Sequence, residues 1–247
     1  MKVVILAGGL GTRMSEYTKT VPKPMVRIGN FPIIIHILNL YINHGFNDFL
    51  IAAGYKSNIL KDHFKNFKKS GEEFKAKIFG KSCKINIIET GLKTLTGGRL
   101  KRVKKYLIND EDFMFTYGDG ISNVNIKKLV NFHLKNKKLI TVTAVRPPAR
   151  FGELILKGTK VVSFKEKPQV TYGWINGGFF VAKTAFLNFI SKDSDILERT
   201  PLEKASKKRE LVAFKHTGFW KCMDVKRDRD ELQKIYNQNK FNWKGKN

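Results

Sequence analysis

The stretch Val3-Val4-Ile5-Leu6-Ala7-Gly8-Gly9-Leu10-Gly11-Thr12-Arg13 starts as an apolar run and continues into a loop with three glycines. The apolar run predicts a buried strand, and the glycines predict a tight loop directly behind it. Because glycine has no Cβ, such a loop can bring backbone N–H groups against phosphate oxygens. Arg13 adds a planar fork of donors that matches phosphate geometry. We therefore expect a strand followed by a loop that binds a nucleoside triphosphate, and a plain tight turn is the alternative.

The loop differs from two common nucleotide-binding loops. It lacks the Gly-Lys-Ser/Thr ending of a P-loop, which disfavours a Walker-type ATPase or switch. Gly9-x-Gly11 is not followed by a third glycine three residues later, so it is not the dinucleotide-binding fingerprint either. The rest of the chain must decide between a phosphate-binding loop and a turn.

Length and composition limit the class of protein. The chain has 247 residues, which buries roughly three quarters of the extended surface and predicts one large domain. The first apolar run is too short for the core of a signal peptide, and no run approaches the ~20 residues of a membrane span. Cys83 and Cys222 lie far apart without metal-ligand spacing. Two such thiols are expected in a reduced, cytoplasmic protein.

The formal net charge of +26 has two possible explanations. A strongly basic protein can bind nucleic acid or an acidic surface. Here the lysines are spread along the chain and alternate with apolar residues at helical spacing, which favours solvated surfaces over nucleic-acid binding. In either case a positive field would attract phosphorylated small substrates.

Strands and helices alternate along the first part of the chain, which predicts an α/β fold with a mostly parallel sheet. Strands are predicted at residues 2–6, 49–53, 85–88, 113–117 and 140–145. A helix is predicted at 33–43, closing at Gly45, and another at 59–67 with Asn58 as its N-cap. Further helices are expected at 99–107, after Gly97-Gly98, and directly after Asn125 as an N-cap.

The second part of the chain has a different pattern. Before it, residues 69–81, between the helix at 59–67 and the strand at 85–88, are polar and weakly patterned and predict a loop or insertion. Beyond Pro147-Pro148, residues 154–156 and 161–164 flank Lys157-Gly158, which is typical of a β-hairpin. Strands at 179–182 and 211–214 and a helix at 225–236 complete the prediction.

Two aspartates lie where a metal ion could bind. Asp119 stands between two glycines at the carboxyl end of the strand at 113–117, and ligands of open α/β sheets bind at that edge. Mg²⁺ prefers one or two carboxylates together with phosphate oxygens of a substrate. Asp224 follows an apolar stretch and precedes a charged helix. A turn or helix cap is the alternative for Asp119, and an N-cap is the alternative for Asp224.

Three further segments carry polar groups at defined places. Lys23 lies between two prolines, whose rings stiffen the backbone and aim one ammonium group; a surface proline-rich segment is the alternative. Glu166-Lys167-Pro168 follows a predicted strand in a comparable way. Asn176-Gly177-Gly178 precedes another strand and suits a polar ligand such as a sugar, and a bulge or turn is the alternative.

Taken in order, these elements resemble the sugar-1-phosphate nucleotidylyltransferases from one end of the chain to the other. Within that family the chain looks most like the branch that uses CTP and glucose 1-phosphate. The matching stretches are residues 1–13, 96–102, 115–120, 150–152, 175–180, 218–220 and 223–224. Thr-Gly-Gly-Arg-Leu-Lys-Arg and Tyr-Gly-Asp-Gly separate this branch from relatives that use dTTP or UTP.

The resemblance implies an α/β fold with a Rossmann-like, mostly parallel mixed sheet flanked by helices and a smaller sugar-binding β portion. It implies a single nucleotidyltransferase domain over residues 1–247. The nucleotide-binding part would cover about 1–145, the sugar-binding part about 146–224, and a C-terminal helix about 225–247. It also implies a homo-oligomer. No membrane partner is expected, since no apolar run is long enough, and the spread of the lysines makes a nucleic-acid partner the less favoured alternative.

The resemblance further implies a role for each site residue. Arg13 and Lys23 would be catalytic, neutralising the triphosphate and the leaving pyrophosphate. Asp119 and Asp224 would ligate Mg²⁺. The residues that would bind the nucleotide are Leu6, Ala7, Gly8, Gly9, Leu10, Gly11, Thr12, Arg13, Lys23, Thr94, Arg99 and Gly118. Those that would bind the sugar phosphate are Glu166, Lys167, Asn176 and Gly177.

The implied reaction is direct transfer of a cytidylyl group from CTP to α-D-glucose 1-phosphate. The attacking phosphate is already an anion near neutral pH, so no general base is required, and no Ser-His-Asp or Cys-His set is apparent. The alternatives are the same reaction with UTP, dTTP or another sugar 1-phosphate, and a basic nucleic-acid-binding protein. The segment 68–85 looks shorter than in the typical family member, where it lies near the nucleotide and the subunit contacts.

Overall fold

The computed structural model describes residues 1–65, 68–70, 73–147, 153–165 and 173–238. The strands are β1 (Val3–Ala7), β2 (Arg27–Ile28), β3 (Phe31–Pro32), β4 (Asp48–Ala53), β5 (Lys68–Ser70), β6 (Glu73–Ile78), β7 (Lys81–Glu89), β8 (Asp112–Tyr117), β9 (Gly120–Ser122), β10 (Ile140–Val145), β11 (Glu153–Lys157), β12 (Lys160–Lys165), β13 (Ile175–Lys183), β14 (Leu211–His216) and β15 (Trp220–Cys222). The helices are α1 (Ser15–Thr18), α2 (Ile33–Asn43), α3 (Ser57–Phe64), α4 (Thr96–Val103), α5 (Ile126–Asn136), α6 (Thr200–Lys207) and α7 (Lys226–Asn237). Short 3₁₀ helices cover Thr12–Met14, Lys23–Met25, Lys104–Tyr106 and Thr184–Phe189.

Among the described residues, nine strands form one sheet in the order β14-β10-β13-β8-β1-β4-β7-β6-β5. Parallel pairing joins β1 to β4 and β8, β4 to β7, and β10 to β14. Antiparallel pairing places β13 between β8 and β10, and β6 between β7 and β5. In this sheet β13 and β6 therefore run against the other seven strands. The predicted α/β fold with a mostly parallel mixed sheet is confirmed.

The central strands β1, β4 and β8 are buried on both faces of the sheet. Alternate residues of β1 point to opposite sides, so Ile5 packs in one apolar cluster with α2 while Val4 and Leu6 pack in the other with α4. A strand covered on both faces has no solvent side, which is why β1 reads as an unbroken apolar run. Helix α2 has the predicted bounds, and the chain turns after it at Gly45, whose φ is 88°.

One edge of the sheet collects the segments that could bind a ligand. Strands β1, β4, β7 and β8 are parallel, so their carboxyl ends at Ala7, Ala53, Glu89 and Tyr117 lie at the same edge. Strand β13 runs in the opposite direction, and its first residues therefore lie at this edge as well. The glycine loop, the turn at 118–119 and the start of β13 consequently meet.

Two small pairings complete this edge. Strand β15 pairs with β9, which follows β8 directly, so that Cys222 lies opposite Gly120. This pairing brings the segment after β15 beside the turn at 118–119. Strands β11 and β12 form the predicted hairpin, with Gly158 at a φ of 61° in its turn.

The prediction of a loop at residues 69–81 is wrong. Strand β6 covers most of it and pairs with β7, and β5 pairs with β6 at the sheet edge. Ala76 and Ile78 are buried, while Lys75 and Lys77, which alternate with them along the strand, are exposed. The alternation of a half-buried strand is present, but the lysines made the segment look like a polar insertion.

The predicted starts of helices α4 and α3 need correction. Helix α4 begins at Thr96, so Gly97 and Gly98 lie inside it. Glycine is needed at both positions because the backbone of Asp195 and Asp193 occupies the space that Cβ atoms would take. The helix ends at Val103 and continues as a 3₁₀ turn before Leu107. Asn125, in contrast, caps α5 as predicted, accepting a hydrogen bond from the N–H of Lys128 at 2.9 Å.

Helix α3 begins before its predicted N-cap. Lys56 adopts a left-handed conformation with a φ of 50°, and Ser57 and Asn58 are already helical. The Ser57 hydroxyl donates to Glu89 at 2.6 Å instead of capping the helix. The helix ends at Phe64, and residue 67, its predicted end, lies outside the described residues.

Several sequence-based predictions fall on residues that the structure does not describe. These are Arg150-Phe151-Gly152, Glu166-Lys167-Pro168 and the end of the predicted C-terminal helix beyond residue 238. In the described part of the chain, no helix is both long and apolar enough to cross a bilayer. Cys83 and Cys222 are both free thiols.

Candidate active site

The glycine loop after β1 is a defined turn. Gly11 has a φ of 66°, a region that favours glycine, and its carbonyl accepts hydrogen bonds from the N–H of Met14 at 2.9 Å and the hydroxyl of Thr18 at 3.0 Å. A Cβ on Gly11 would also lie 2.8 Å from Cγ2 of Thr18. Both the sharp turn and the close approach therefore require glycine at this position.

The buried side chain of Arg99 holds the glycine loop through hydrogen bonds to the backbone. Its guanidinium donates to the carbonyl of Gly8 at 2.8 Å, to the carbonyl of Gly91 at 2.9 Å and to the hydroxyl of Thr90 at 2.6 Å, with a longer contact of 3.3 Å to the carbonyl of Ala53. The side chain is buried, and burial lowers the pKa of Arg99 from its usual value. A single guanidinium thus joins the ends of β1, β4 and β7.

This arrangement changes the interpretation of two residues. The donors of Arg99 are directed at backbone carbonyls of the protein, whereas the resemblance implied a contact between Arg99 and the nucleotide. A Cβ on Gly8 would overlap the guanidinium of Arg99. Gly8 therefore makes room for an arginine of the same chain, in addition to any approach to phosphate.

All of the residues expected to bind the nucleotide line one cavity of about 800 Å³. They are Leu6, Ala7, Gly8, Gly9, Leu10, Gly11, Thr12, Arg13, Lys23, Thr94, Arg99 and Gly118. Asp119, Pro24, Tyr117 and the segment from Leu92 to Thr96 complete the lining. The loop, the end of β8 and the start of α4, which are distant in sequence, therefore surround one space.

Lys23 joins the two aspartates at the mouth of this cavity. Its Nζ donates to Oδ2 of Asp119 at 2.7 Å and to Oδ1 of Asp224 at 3.2 Å. Arg13 forms an ion pair with the other carboxylate oxygen of Asp224. Two cations and two carboxylates, separated by up to 211 positions in sequence, thus form one cluster.

The charges in this cluster shift the pKa values of its members. Burial alone would lower the pKa of Lys23, but the carboxylate of Asp119 and, more weakly, that of Asp224 outweigh burial and raise it. Lys23 is therefore a permanent cation. Burial, and after it the charge of Asp119, raises the pKa of the neighbouring Cys222 thiol, which stays protonated.

Asp224 does not cap the helix that follows it. The N-cap of α7 is Val225, and the carboxylate of Asp228 accepts the backbone N–H groups of Asp224 and Val225, each at 3.0 Å. The side chain of Asp224 is left to the cluster with Arg13 and Lys23. This excludes the N-cap alternative for Asp224.

A second cavity of about 530 Å³ adjoins the first and shares Arg13, Tyr117 and Asp119 with it. Asn176 and Gly177 line it, together with Asp224 and Trp220. Asn176 and Gly177 lie within β13 and not before it as predicted. The pairing of β13 with β10 shifts register between Val142 and Ala144. The strand pairing is therefore irregular at this segment, and Asn176 lines the cavity.

The donor chemistry of Asp119 and Asp224 fits Mg²⁺. Both present carboxylate oxygens to one ammonium group, and Mg²⁺ prefers such hard oxygen donors. In the described part of the chain, no group of three or more His, Cys, Asp or Glu residues could hold a metal ion without other ligands. Two carboxylates completed by phosphate oxygens and water fit Mg²⁺ and do not form an all-protein cage.

Sequence reasoning missed two residues at this site. Tyr117 lines both cavities, and its hydroxyl donates to Glu198. Tyr117 lies in a stretch that carries the family resemblance, but nothing in the sequence indicated what its side chain would contact. Glu198 lies in an irregular segment before α6 without a motif or period around it, so no sequence signal was available.

Comparison with known proteins tests the resemblance. Residues 2–225 match the model of the family described as nucleotidyl transferase. The chain belongs to this nucleotidyl transferase family. The predictions of family membership and of a nucleotidyltransferase enzyme are confirmed.

Similar proteins of the family narrow the comparison. The chain is 43% identical to a glucose-1-phosphate cytidylyltransferase of Salmonella typhimurium, over 99% of each chain. It is 37% identical to a probable glucose-1-phosphate cytidylyltransferase of Bacillus subtilis, again over 99% of each. A mannose-1-phosphate guanyltransferase of Aspergillus oryzae is 31% identical over 94% of this chain and 62% of its own length.

Solved structures show the same fold. HddC from Yersinia pseudotuberculosis matches with a TM-score of 0.72 at 24% identity, covering 95% of this chain and 99% of its own. A UDP-glucose pyrophosphorylase in complex with UDP-glucose matches with a TM-score of 0.72 at 17% identity, covering 96% and 98%. At these identities the likeness concerns the fold.

Proposed function

We propose that this protein transfers a cytidylyl group from CTP to α-D-glucose 1-phosphate and releases CDP-glucose and pyrophosphate. The observation that carries the proposal is the cluster of Arg13, Lys23, Asp119 and Asp224 at the junction of two cavities. One cavity has a glycine loop suited to a triphosphate, and the other has polar groups suited to a sugar. The full-length similarity to cytidylyltransferases supports the choice of CTP and glucose 1-phosphate.

The glycine loop binds the triphosphate through its backbone. Residues 8–12 follow β1 at the ligand-binding edge of the sheet, and Gly9 leaves open space beside its Cα. N–H groups of such a loop form a concave site for anions. Arg99 keeps the loop in this shape through the carbonyl of Gly8, while Thr94 and Gly118 border the space for the nucleoside.

Arg13 and Lys23 solve the electrostatic problem of the reaction, which is to bring two polyanions together. A phosphate oxygen of glucose 1-phosphate attacks the α-phosphorus of CTP, and a new P–O bond forms. The bond from the α-phosphorus to the bridging oxygen breaks, and its electron pair leaves with pyrophosphate. No proton has to move in this step, so the cations contribute by positioning and by stabilising charge.

Asp119 and Asp224 would hold Mg²⁺ together with oxygens of the triphosphate. When bound, the ion would neutralise charge that develops on the phosphate oxygens. The ammonium group of Lys23 pairs with both carboxylates. Lys23 also lines the nucleotide cavity, so its positive charge would act on the triphosphate.

The sugar phosphate would lie in the second cavity. Asn176 supplies an amide there, and the indole N–H of Trp220 donates to the carbonyl of Gly177 at 2.7 Å, which fixes the backbone. Glu166 and Lys167 stay predicted sugar-phosphate ligands, since they lie outside the described residues. We also propose the division into a nucleotide-binding part at about 1–145, a sugar-binding part at about 146–224 and a C-terminal helix at about 225–247. Homo-oligomeric assembly and a cytoplasmic location stay predictions.

The proposal is tested by pyrophosphate release from a matrix of substrates. Purified protein with Mg²⁺ is given CTP, UTP, dTTP, GTP or ATP, each with glucose 1-phosphate or mannose 1-phosphate. We expect the highest kcat/KM for CTP with glucose 1-phosphate. The guanylyl combination is included because of the similarity to mannose-1-phosphate guanyltransferases. A preference for another pair would overturn the substrate assignment, and no release from any pair would overturn the enzyme itself.

A further inference from the structure

Tyr117 is held rigidly between the two cavities. It is the last residue of β8, and its ring meets Phe180 edge-on with centroids 6.1 Å apart. Phe180 in turn stacks on Phe115 at 4.3 Å. A Cβ on Gly178 would lie 2.8 Å from Cδ2 of Tyr117, so glycine leaves room for the ring. The phenol is therefore fixed at the boundary of both cavities.

The hydroxyl of Tyr117 is tied to the nucleotide side through Glu198. It donates to Oε1 of Glu198, and the hydroxyl of Thr96 donates to Oε2 of the same carboxylate at 3.1 Å. Thr96 is the first residue of α4 and lines the nucleotide cavity. The N–H of Leu197 donates to the Thr96 oxygen at 2.9 Å, which fixes the orientation of that hydroxyl.

The same phenol contacts the sugar side through Asn176. Nδ2 of Asn176 donates to the Tyr117 oxygen at 3.5 Å, and Oδ1 accepts the N–H of Gly178 at 2.8 Å. Both ends of the amide are thereby oriented. The second N–H of Nδ2 is left to donate to a hydroxyl of a ligand in the second cavity.

Glu198 is carried by a segment that is fastened to α4. The N–H of Leu95 donates to the carbonyl of Asp193, and that of Gly97 to the carbonyl of Asp195, each at 2.9 Å. The Asp195 carboxylate also accepts the N–H of Ser191 at 2.7 Å. The backbone that leads to Glu198 is therefore fastened to α4, and the hydroxyl of Thr96 holds the carboxylate independently of Tyr117.

Protonation keeps the direction of these hydrogen bonds constant. Burial, and after it the charge of Glu198, raises the pKa of Tyr117 above its ordinary value. The phenol stays protonated through the physiological range and serves as donor to Glu198. Its oxygen then accepts from Asn176, so the order Thr96, Glu198, Tyr117, Asn176 is one continuous chain.

We propose that Tyr117 and Glu198 are positioning residues for sugar recognition, holding the Asn176 amide in the orientation that selects the sugar hydroxyls. The inference rests on the proposed function, because it treats the second cavity as the sugar site. The chain through Thr96 also connects the sugar site to the nucleotide cavity. Removal of the phenol hydroxyl should therefore weaken the binding of the sugar phosphate more than the binding of CTP.

The test compares steady-state constants of Tyr117→Phe, Glu198→Ala and Glu198→Gln with those of the wild-type protein. For Tyr117→Phe we expect KM for glucose 1-phosphate to rise roughly 5- to 20-fold, the range for one lost hydrogen bond. KM for CTP should stay within about twofold by the same reasoning, since no donor of the triphosphate site is removed. Glu198→Ala should behave like Tyr117→Phe, and Glu198→Gln, which can still accept from the phenol, should recover most of the loss.

A double variant and a panel of sugars separate positioning from general damage. Tyr117→Phe combined with Glu198→Ala should be no worse than Tyr117→Phe alone, because Glu198 acts on Asn176 only through the Tyr117 hydroxyl. Wild type should discriminate against one monodeoxy glucose 1-phosphate, and Tyr117→Phe should lose that discrimination. Tyr106→Phe, at a tyrosine in a separate cleft, is the matched control and should leave all constants unchanged.

Each outcome decides the question. A rise in the KM of glucose 1-phosphate with loss of deoxy-sugar discrimination supports the inference. An unchanged KM for glucose 1-phosphate in an active Tyr117→Phe variant overturns it. An equal rise in the KM values of glucose 1-phosphate and CTP together with a lower Tm also overturns it. If the wild-type protein releases no pyrophosphate from any substrate pair, the proposed function fails and this inference fails with it. If Tyr117→Phe does not fold, the Glu198→Gln and Glu198→Ala pair gives the same decision.

Discussion

Replacing Arg99 by methionine should both destabilise the protein and weaken nucleotide binding. Methionine keeps most of the aliphatic stem but removes the guanidinium that joins Gly8, Gly91 and Thr90. The carbonyls of Gly8 and Ala53 accept other hydrogen bonds, from the N–H groups of Tyr55 and Thr90. The Thr90 hydroxyl keeps its own hydrogen bond to the Ala53 carbonyl, so the loss is concentrated on the Gly91 carbonyl.

The magnitude follows from those hydrogen bonds. A hydrogen bond to a charged group contributes about 1.5–3 kcal/mol, and a buried acceptor without a partner costs about 1–3 kcal/mol. Part of this is recovered because methionine packs without a charge, which leaves about 3 kcal/mol. For a chain of this size that corresponds to a decrease in Tm of roughly 6–12 °C. A loosened glycine loop should also raise KM for CTP about tenfold, which matches ~1.4 kcal/mol of binding free energy.

The assay is thermal unfolding combined with steady-state kinetics. Arg102→Met is the matched control, since Arg102 lies on the same helix but pairs with Asp193 at the surface, and its Tm should stay close to that of wild type. Gly8→Ala pushes a Cβ into the Arg99 guanidinium, so its decrease in Tm should be smaller in an Arg99→Ala background. A selective rise in KM for CTP at unchanged Tm would refute the reasoning. It would indicate that Arg99 contacts the nucleotide directly.

Three further predictions concern the charges of the site and the pH dependence of stability. Asp119→Asn should reduce kcat roughly 100-fold or more while far-UV circular dichroism and Tm stay near wild type; near-normal turnover would remove Asp119 from the proposed metal site. Arg13→Ala should lose about 3 kcal/mol of transition-state stabilisation, seen as a decrease in kcat/KM of roughly 100-fold, and a loss below about threefold would argue against a role at the pyrophosphate. His133 is buried, and burial lowers its pKa although Asp112 opposes the shift. The unfolded state therefore takes up a proton more readily, and stability should decrease as pH falls below about 6.5, the unfolded value. Urea unfolding from pH 8 to 5 should show a shallower decrease in His133→Gln, and an equal slope would contradict the assignment.

Local patterns predicted the parts of the fold that local physics determines. Strand β1 and the loop behind it were predictable, because a buried parallel strand is an unbroken apolar run and a sharp turn needs glycine. Helix α2 was predictable to the residue because Pro32 comes directly before it and Gly45 follows its end. Gly97 and Gly98 were misread, since their lack of a side chain serves close packing against Asp193 and Asp195 and does not interrupt the helix.

The candidate site depends on contacts that sequence spacing does not contain. Lys23, Asp119 and Asp224 meet because β15 pairs with β9, and nothing near Asp224 indicates that pairing. The family resemblance supplied these residues, whereas their geometry required the fold. The hydrogen bonds of Arg99 to Gly8, Gly91 and Thr90 were not predictable for a related reason: a sequence does not show whether a guanidinium binds groups of its own chain. A contact between Arg99 and the nucleotide stays a prediction.

The most direct test of the central claim follows the α-phosphate of CTP. With [α-³²P]CTP, glucose 1-phosphate and Mg²⁺, the label should appear in a sugar nucleotide that resists phosphatase, in equal amounts to unlabelled pyrophosphate. With [γ-³²P]CTP, all released label should be in pyrophosphate. Label from the α-position in free CMP or in pyrophosphate, or no transfer to the sugar in an otherwise folded protein, would contradict direct cytidylyl transfer at this site.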